Sequence, residues 1–334
     1  MSTTAGVWTE TALQNVRAAA AEIMGDRIGL QYRPKSIQTL EFIKDLQTAK
    51  LTPLTGKKKN TVELEWINAC GLAVADNTDC TFGTTEGSTN TEEKVISKAV
   101  EVPFMVDEND FKSNDYDATQ VLAKLFLAAD AKLVESICAY GVAQLNTFAG
   151  TNQMSATGEK FTNNGTTIEL GAAYWNSSAI GTLIRVGDYN QFTSPMALSG
   201  SLMHEAAMNA AWDGANADGR GGVARFNDFP VRFDELNVDT VNSGTKYLYL
   251  ASMGSLAFAS RNDYDDTMRV FDWGRGVRME SNFVPGLYYD VISTDTCSGN
   301  VNKRQFKVVC YYDIFNNPAG CTAANTGVLK WKCV

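Results

Sequence analysis

Apolar and polar positions change their period several times along this chain, and each change marks an element. Residues 61–69 and 95–106 alternate in steps of two, with Val62, Leu64 and Trp66 in the first run and Val100, Val102 and Phe104 in the second. That pattern predicts two strands. The Gly/Thr/Asn-rich stretch between them is far longer than the two to five residues a hairpin turn needs. A ribbon of that reach is not stable alone and needs a surface to lie on. Over residues 115–146 the period becomes three and four, through Leu122, Leu125, Phe126, Ala129, Leu133, Ile137 and Tyr140. This predicts a spine helix of roughly 45 Å at ~1.5 Å per residue, covered on one face along its length. Asn114 or Asp115 can cap its start.

The other segments are shorter. Helices are expected over 9–23, with Thr9 or Thr11 as cap, and over 39–49, where Leu40, Ile43 and Leu46 recur at helical spacing. An irregular arm through Tyr32, Pro34 and Pro53 accompanies them. Residues 152–168 are polar and Gly-rich, a crossing between regions. Beyond it the patterns predict a helix over 174–186, a short buried strand over 195–199 and a helix over 201–212. A glycine loop over 214–222 and a strand over 229–233 follow. The chain returns to a core over 247–260 and is polar over 263–278. Runs at 286–293, 304–314 and 327–334 are β-branched and aromatic, separated by Gly/Asn/Ser turns, and read as one antiparallel sheet.

Charge is unevenly spread. Residues 1–60 hold nine Lys/Arg against five Asp/Glu, whereas the remaining residues hold twenty against thirty-three, for a net charge of −9. Seven acids, Glu63, Glu65, Asp76, Asp79, Glu86, Glu92 and Glu93, fall between residues 60 and 93 with no Lys or Arg among them. A basic segment on an acidic body suits a polyanion or an acidic neighbour, since summed charge governs long-range attraction. An ordinary solvated turn at Lys57, Lys58 and Lys59 explains the local cluster equally well. At 334 residues and 44% apolar composition the chain can bury a substantial core. Its apolar runs fall short of a membrane span, so no membrane partner is expected. The first 25 residues lack the apolar core of a secretion signal, and the expectation is synthesis and use in cytoplasm.

Candidate chemistry is sparse. His204 is the single histidine. It lies in a run resembling HExxH, but Met208 stands where the second zinc ligand belongs. The 214–222 loop has neither the Lys-Ser/Thr of a phosphate loop nor a preceding strand. Asp263, Asp265 and Asp266 resemble the start of a calcium loop without its later glycine and glutamate, which leaves a solvated turn. The sequons at Asn164 and Asn176 carry little meaning without a secretion signal. No cofactor, metal site or catalytic group is expected. The seven cysteines form no CxxC pair. Two readings stand for Cys297, Cys310, Cys321 and Cys333: reduced structural thiols, or disulfides formed after release into an oxidising medium.

The order of parts, namely basic arm, long two-stranded extension, spine helix, mixed α/β region and returning strands, resembles the major capsid proteins of tailed bacteriophages. Their HK-ninety-seven-type fold is shared with encapsulin shells. The resemblance implies an α+β chain with an amino-terminal arm (1–60), an extended hairpin loop (61–106) and a peripheral domain with the spine helix (107–170). An axial domain (171–282) and peripheral return strands (283–334) complete it. It implies a structural protein, not an enzyme, that self-assembles through hexamers and pentamers into an icosahedral virion shell around double-stranded DNA. Scaffolding, portal and decoration proteins are further partners, and scaffolding is expected to be separate or absent. On this reading the acidic tip Asp76, Asp79, Glu86, Glu92 and Glu93 meets Arg220, Arg225, Arg275 or Arg278 of a neighbouring copy. Lys57, Lys58 and Lys59 then face the packaged DNA. Two alternatives remain: an encapsulin-like cargo compartment, and a secreted β-rich binding protein.

Overall fold

A computed structural model describes residues 9–25, 29–47, 51–53, 61–68, 88–107, 118–175, 177–203, 223–226, 229–272, 274–298, 301–317 and 325–334. The chain divides into two compact units that interleave in sequence. One takes residues 1–37, 96–137 and 260–313, the other 38–95, 138–259 and 314–334.

The first unit is a sheet with helices. Its strands are β4 (Lys98–Asp107), β11 (Leu256–Arg261, whose first four residues belong to the second unit and which lies beside β15), β12 (Arg269–Phe271), β13 (Gly274–Glu280), β14 (Tyr288–Ser298) and β15 (Val301–Asn316, whose last three residues belong to the second unit). Antiparallel pairing joins β12 with β13, β13 with β14, β14 with β15 and β15 with β4. Helix α1 (Glu10–Gly25) buries Leu13, Val16 and Ala20. The helix α3 (Ala118–Phe148) begins in this unit and passes into the second between Ile137 and Cys138. Phe306 of β15 stacks on Phe104 of β4 at 5.1 Å between ring centroids, and Phe126 of α3 meets both edge-on at 5.1 and 5.3 Å. Such aromatic pairs add to the burial of their area.

The second unit holds a seven-stranded mixed sheet in the order β5 (Phe161–Asn164), β6 (Thr167–Leu170), β16 (Val328–Cys333), β10 (Tyr247–Ala251), β7 (Met196–Ser199), β9 (Phe229–Phe233), β8 (Val223–Phe226). Leu248, Leu250, Leu329, Trp331 and Ile168 from this sheet share one core with Ala179, Ile180, Leu183 and Val186 of helix α4 (Ser177–Tyr189). Helix α2 (Gln38–Leu46) packs against the C-terminal part of α3. A Cβ at Gly141 would lie 2.9 Å from Thr39 and 3.0 Å from Ile43, so the glycine permits a close approach that offsets its poor helix propensity. A further sheet joins β1 (Leu51–Pro53), β2 (Thr61–Asn68) and β3 (Ser88–Val95).

Several expectations are corrected. The partner of β2 is β3, not the run at 95–106: Thr61 stands opposite Val95 and Asn68 opposite Ser88. The run 95–106 contributes β4, paired with β15, and Val100, Val102 and Phe104 belong to that sheet. Strand β1 replaces part of the irregular arm. The run 327–334 leaves the expected antiparallel sheet, since β16 lies between β6, parallel, and β10, antiparallel. Polar residues 152–168 and 263–278 contain strand pairs β5–β6 and β12–β13. Helix α5 (Glu235–Val241), capped by Asp234, has no counterpart in the sequence reading. Helix α3 is buried around more than half its circumference, with Ala129, Asp130, Ala131, Leu133, Val134 and Ile137 all inside. The expected helix over 201–212 is described only through Met203, as a 3-10 turn.

Candidate assembly surfaces

The β2–β3 ribbon brings two acidic positions into register. Residues alternate in direction along a strand, so positions 63, 65 and 93 share one face and positions 62, 64 and 66 the other. Glu63 stands opposite Glu93 in the register, and Leu64 opposite Glu92. On the other side of β2, Leu51 faces Leu64 and Pro53 faces Val62. Val62 stands opposite Lys94 and Trp66 opposite Asn90, so apolar positions of β2 share their face with charged and polar positions of β3. Like charges directly opposite one another destabilise an isolated pair of strands. Val62 is buried, while Glu93 and Val95 are exposed.

Of the acidic tip, Asp76, Asp79 and Glu86 lie outside the described residues, and Glu92 is placed by its backbone alone. Arg220 and Lys57, Lys58 and Lys59 also lie outside them, as does His204. Arg225 sits on the edge strand β8 opposite Pro230, placed by its backbone alone. Arg275 is half-buried on β13, with its Nη1 buried and unpartnered. Arg278 is engaged within its own chain: Nε and Nη2 donate to the two carboxylate oxygens of Asp266 at 3.0 and 2.9 Å, and the guanidinium lies 4.9 Å from the Tyr288 ring. That fork holds the Asp266 carboxyl below its usual range. Asp263 and Asp265 pair likewise with Arg261 and Arg269, and among the described residues no group of three His, Cys, Asp or Glu is placed to hold a metal ion. Cys310 and Cys333 are free thiols. Burial pushes the Cys310 thiol up to about 12. Cys297 is placed by its backbone alone and Cys321 lies outside the described residues. No helix among the described residues is long and apolar enough to cross a membrane.

Three features had no signal in the sequence reading. On β9, Arg232 is 7% exposed and donates through Nη2 to Asp45 at 2.6 Å, through Nη1 to Glu41 at 2.7 Å and to Gln38 at 2.9 Å. This clamps α2 onto the seven-stranded sheet. Beside it, the Asp234 carboxylate accepts from Thr39 N at 3.1 Å and from the Thr39 hydroxyl, and caps α5 by accepting from Asn237 N at 3.2 Å. A groove of about 580 Å³ opens on the β4–β15–β14 sheet between Pro103, Met105, Ile292, Thr294, Phe306 and Lys307. The third is a carboxylate, Asp130, buried in the first unit.

No protein-family model matches the sequence, and no curated protein matches it. Solved structures do. The capsid structure of cyanophage P-SCSP1u aligns over 87% of this chain and 87% of its own, at TM-score 0.50 and 10% identity. The capsid asymmetric unit of cyanophage Pam1 aligns over 82% and 85%, at TM-score 0.50 and 12% identity. This chain has a phage capsid fold. It is the α+β, HK-ninety-seven-type arrangement implied by the order of parts. At this level of identity the capsid fold is what the chains share, and side-chain contacts are particular to each.

Proposed function

We propose that this chain is the major capsid protein of a tailed phage, a subunit that assembles with copies of itself into an icosahedral shell around double-stranded DNA. One observation carries the reading: a capsid fold extends over more than four-fifths of the chain. A ribbon that sets Glu63 opposite Glu93 supports it, because closed shells need surfaces that recur by symmetry and complement one another. In this reading the acidic tip, including Asp76, Asp79, Glu86, Glu92 and Glu93, lies on a neighbouring subunit. There charge sets register and on-rate more than affinity. Of the candidate partners Arg220, Arg225, Arg275 and Arg278, the last already gives Nε and Nη2 to Asp266 of its own chain. Lys57, Lys58 and Lys59 contact DNA through phosphates, with sequence-independent and salt-sensitive binding.

Negative-stain microscopy of the purified full chain tests this. Uniform closed particles are expected, and deletion of residues 76–87, which spares β3, is expected to leave unassembled subunits of unchanged secondary-structure content. A monodisperse monomer under all assembly conditions overturns the shell reading. Normal shells from the deletion variant overturn the role of the tip alone.

A further inference from the structure

Asp130 lies on α3 with no exposed surface. Its Oδ1 accepts from the Ser281 hydroxyl at 2.7 Å, and its Oδ2 from Asn282 N at 2.7 Å and, more weakly, from Asn282 Nδ2 at 3.4 Å. These donors come from the turn that follows β13, so one carboxylate ties that turn to the spine helix. Every donor is neutral. A buried carboxylate usually has a cation beside it, because taking a charge out of water is costly. Here its hydrogen-bond partners supply none. From β14 comes the Tyr289 hydroxyl, fully buried and without a hydrogen-bond partner, whose ionisation is opposed by the Asp130 charge. From β15 comes the Cys310 thiol, which is raised in part by Asp130. From α1 comes Arg17, which acts on Tyr289 and donates to the Arg278 carbonyl at 2.9 Å. Ser281 and Asn282 also line a cleft of about 440 Å³, together with Arg17, Asp266 and Glu280.

We propose that Asp130 is a proton-operated latch: charged, it holds the Ser281–Asn282 turn on α3 at the expense of burying an unpaired charge, and on taking up a proton it strengthens the folding of this unit. Complete burial beside neutral donors alone sets the direction. Desolvation outweighs the three hydrogen bonds and lifts the carboxyl from 3.8 to about 6. A folded-state value above the unfolded one means stability that is fully present below about 3.8 and is lost as pH rises through about 6. The latch therefore works within the mildly acidic range. A second carboxylate in the same unit, Asp290, is also lifted to about 6 by burial, and accepts from Asp263 N at 2.7 Å and Asn262 Nδ2 at 3.2 Å. Asp263 adds like-charge repulsion there.

The latch stands independently of shell formation, and local stability separates it from its neighbour. Hydrogen exchange of the full chain is measured at pH 7.5 and pH 5, corrected for intrinsic rates, on peptides covering residues 126–134 and 281–290. Each raised carboxylate is expected to lower the opening constant roughly tenfold between the two pH values. Asp290→Asn, which leaves Asp130 in place, is expected to retain a roughly tenfold change. Asp130→Asn, which mimics the protonated form, is expected to lose the Asp130 share and keep the Asp290 share. An Asp290→Asn variant with no pH dependence overturns the latch, and so does an Asp130→Asn variant with the full wild-type dependence. If either variant fails to fold, carbon NMR titration of the wild-type aspartate carboxyls decides. A mid-range titration assigned to Asp130 supports the latch and a titration near 4 overturns it.

Discussion

Replacing Arg232 by methionine removes the guanidinium that anchors α2 while keeping most of the apolar stem in place. The side chain is 8% exposed, whereas its partners Glu41 and Asp45 keep 34% and 41% of their surface. Breaking a fully buried pair costs about 3–5 kcal/mol, because a charge is left without water or partner. An exposed pair is worth about 0.2–1 kcal/mol. Here the acids can rehydrate once the arginine is gone, so only the arginine side of the cluster behaves as buried. The expected loss is about 2 kcal/mol, intermediate between those limits. Arg232→Lys retains the charge, but one ammonium cannot reproduce a fork that reaches Asp45, Glu41 and Gln38 together, and about half the loss is expected. Hydrogen exchange over residues 38–46 reads the local effect, and chemical denaturation reads the unit. A double-mutant cycle with Asp45→Asn isolates the pair, with a coupling of about 1 kcal/mol expected. A methionine variant within about 0.5 kcal/mol of wild type, or a coupling of zero, refutes the clamp.

Two further predictions concern the first unit. Phe306 is 1% exposed and packs on two other phenylalanine rings. Phe306→Ala is expected to destabilise by about 3–5 kcal/mol in denaturant melts and Phe306→Leu by about 1–1.5 kcal/mol, with equal losses counting against a packing origin. The Cys310 thiol is 1% exposed and donates to the Tyr288 carbonyl at 3.6 Å. At pH 8 iodoacetamide is expected to spare it in the native chain and to label the partly exposed Cys333, as read by peptide mass spectrometry, since the thiolate is the reactive form. Native labelling of Cys310 at the rate of Cys333 would sink that account.

Strong local periods survived folding nearly unchanged. Apolar spacing at three and four placed α3 within a few residues, at Ala118–Phe148 against an expected 115–146. Alternation placed β2, β9, β14 and β15. The order of these parts carried the capsid resemblance, because element type depends on neighbours in sequence and so is written locally. Strand β3 was not legible. Its residues, Ser-Thr-Asn-Thr-Glu-Glu-Lys-Val, show no apolar alternation, and they become a strand by backbone pairing with β2.

Partner choice belonged to the tertiary structure. A period of two satisfies any sheet, so nothing in residues 98–107 or 328–333 says which strand lies alongside. The first joins β15, and the second is shared between β6 and β10, because burial of the whole unit selects register. The fates of the polar residues were decided the same way. Arg232 and Asp130 look like ordinary charged positions in sequence. Their partners are 187 and 151 residues away, at Asp45 and Ser281, and only folding brings such groups to hydrogen-bonding distance. The chain by itself determined its elements and their order. The three-dimensional structure decided which of them touch, because side-chain periodicity is a local property and burial is a collective one.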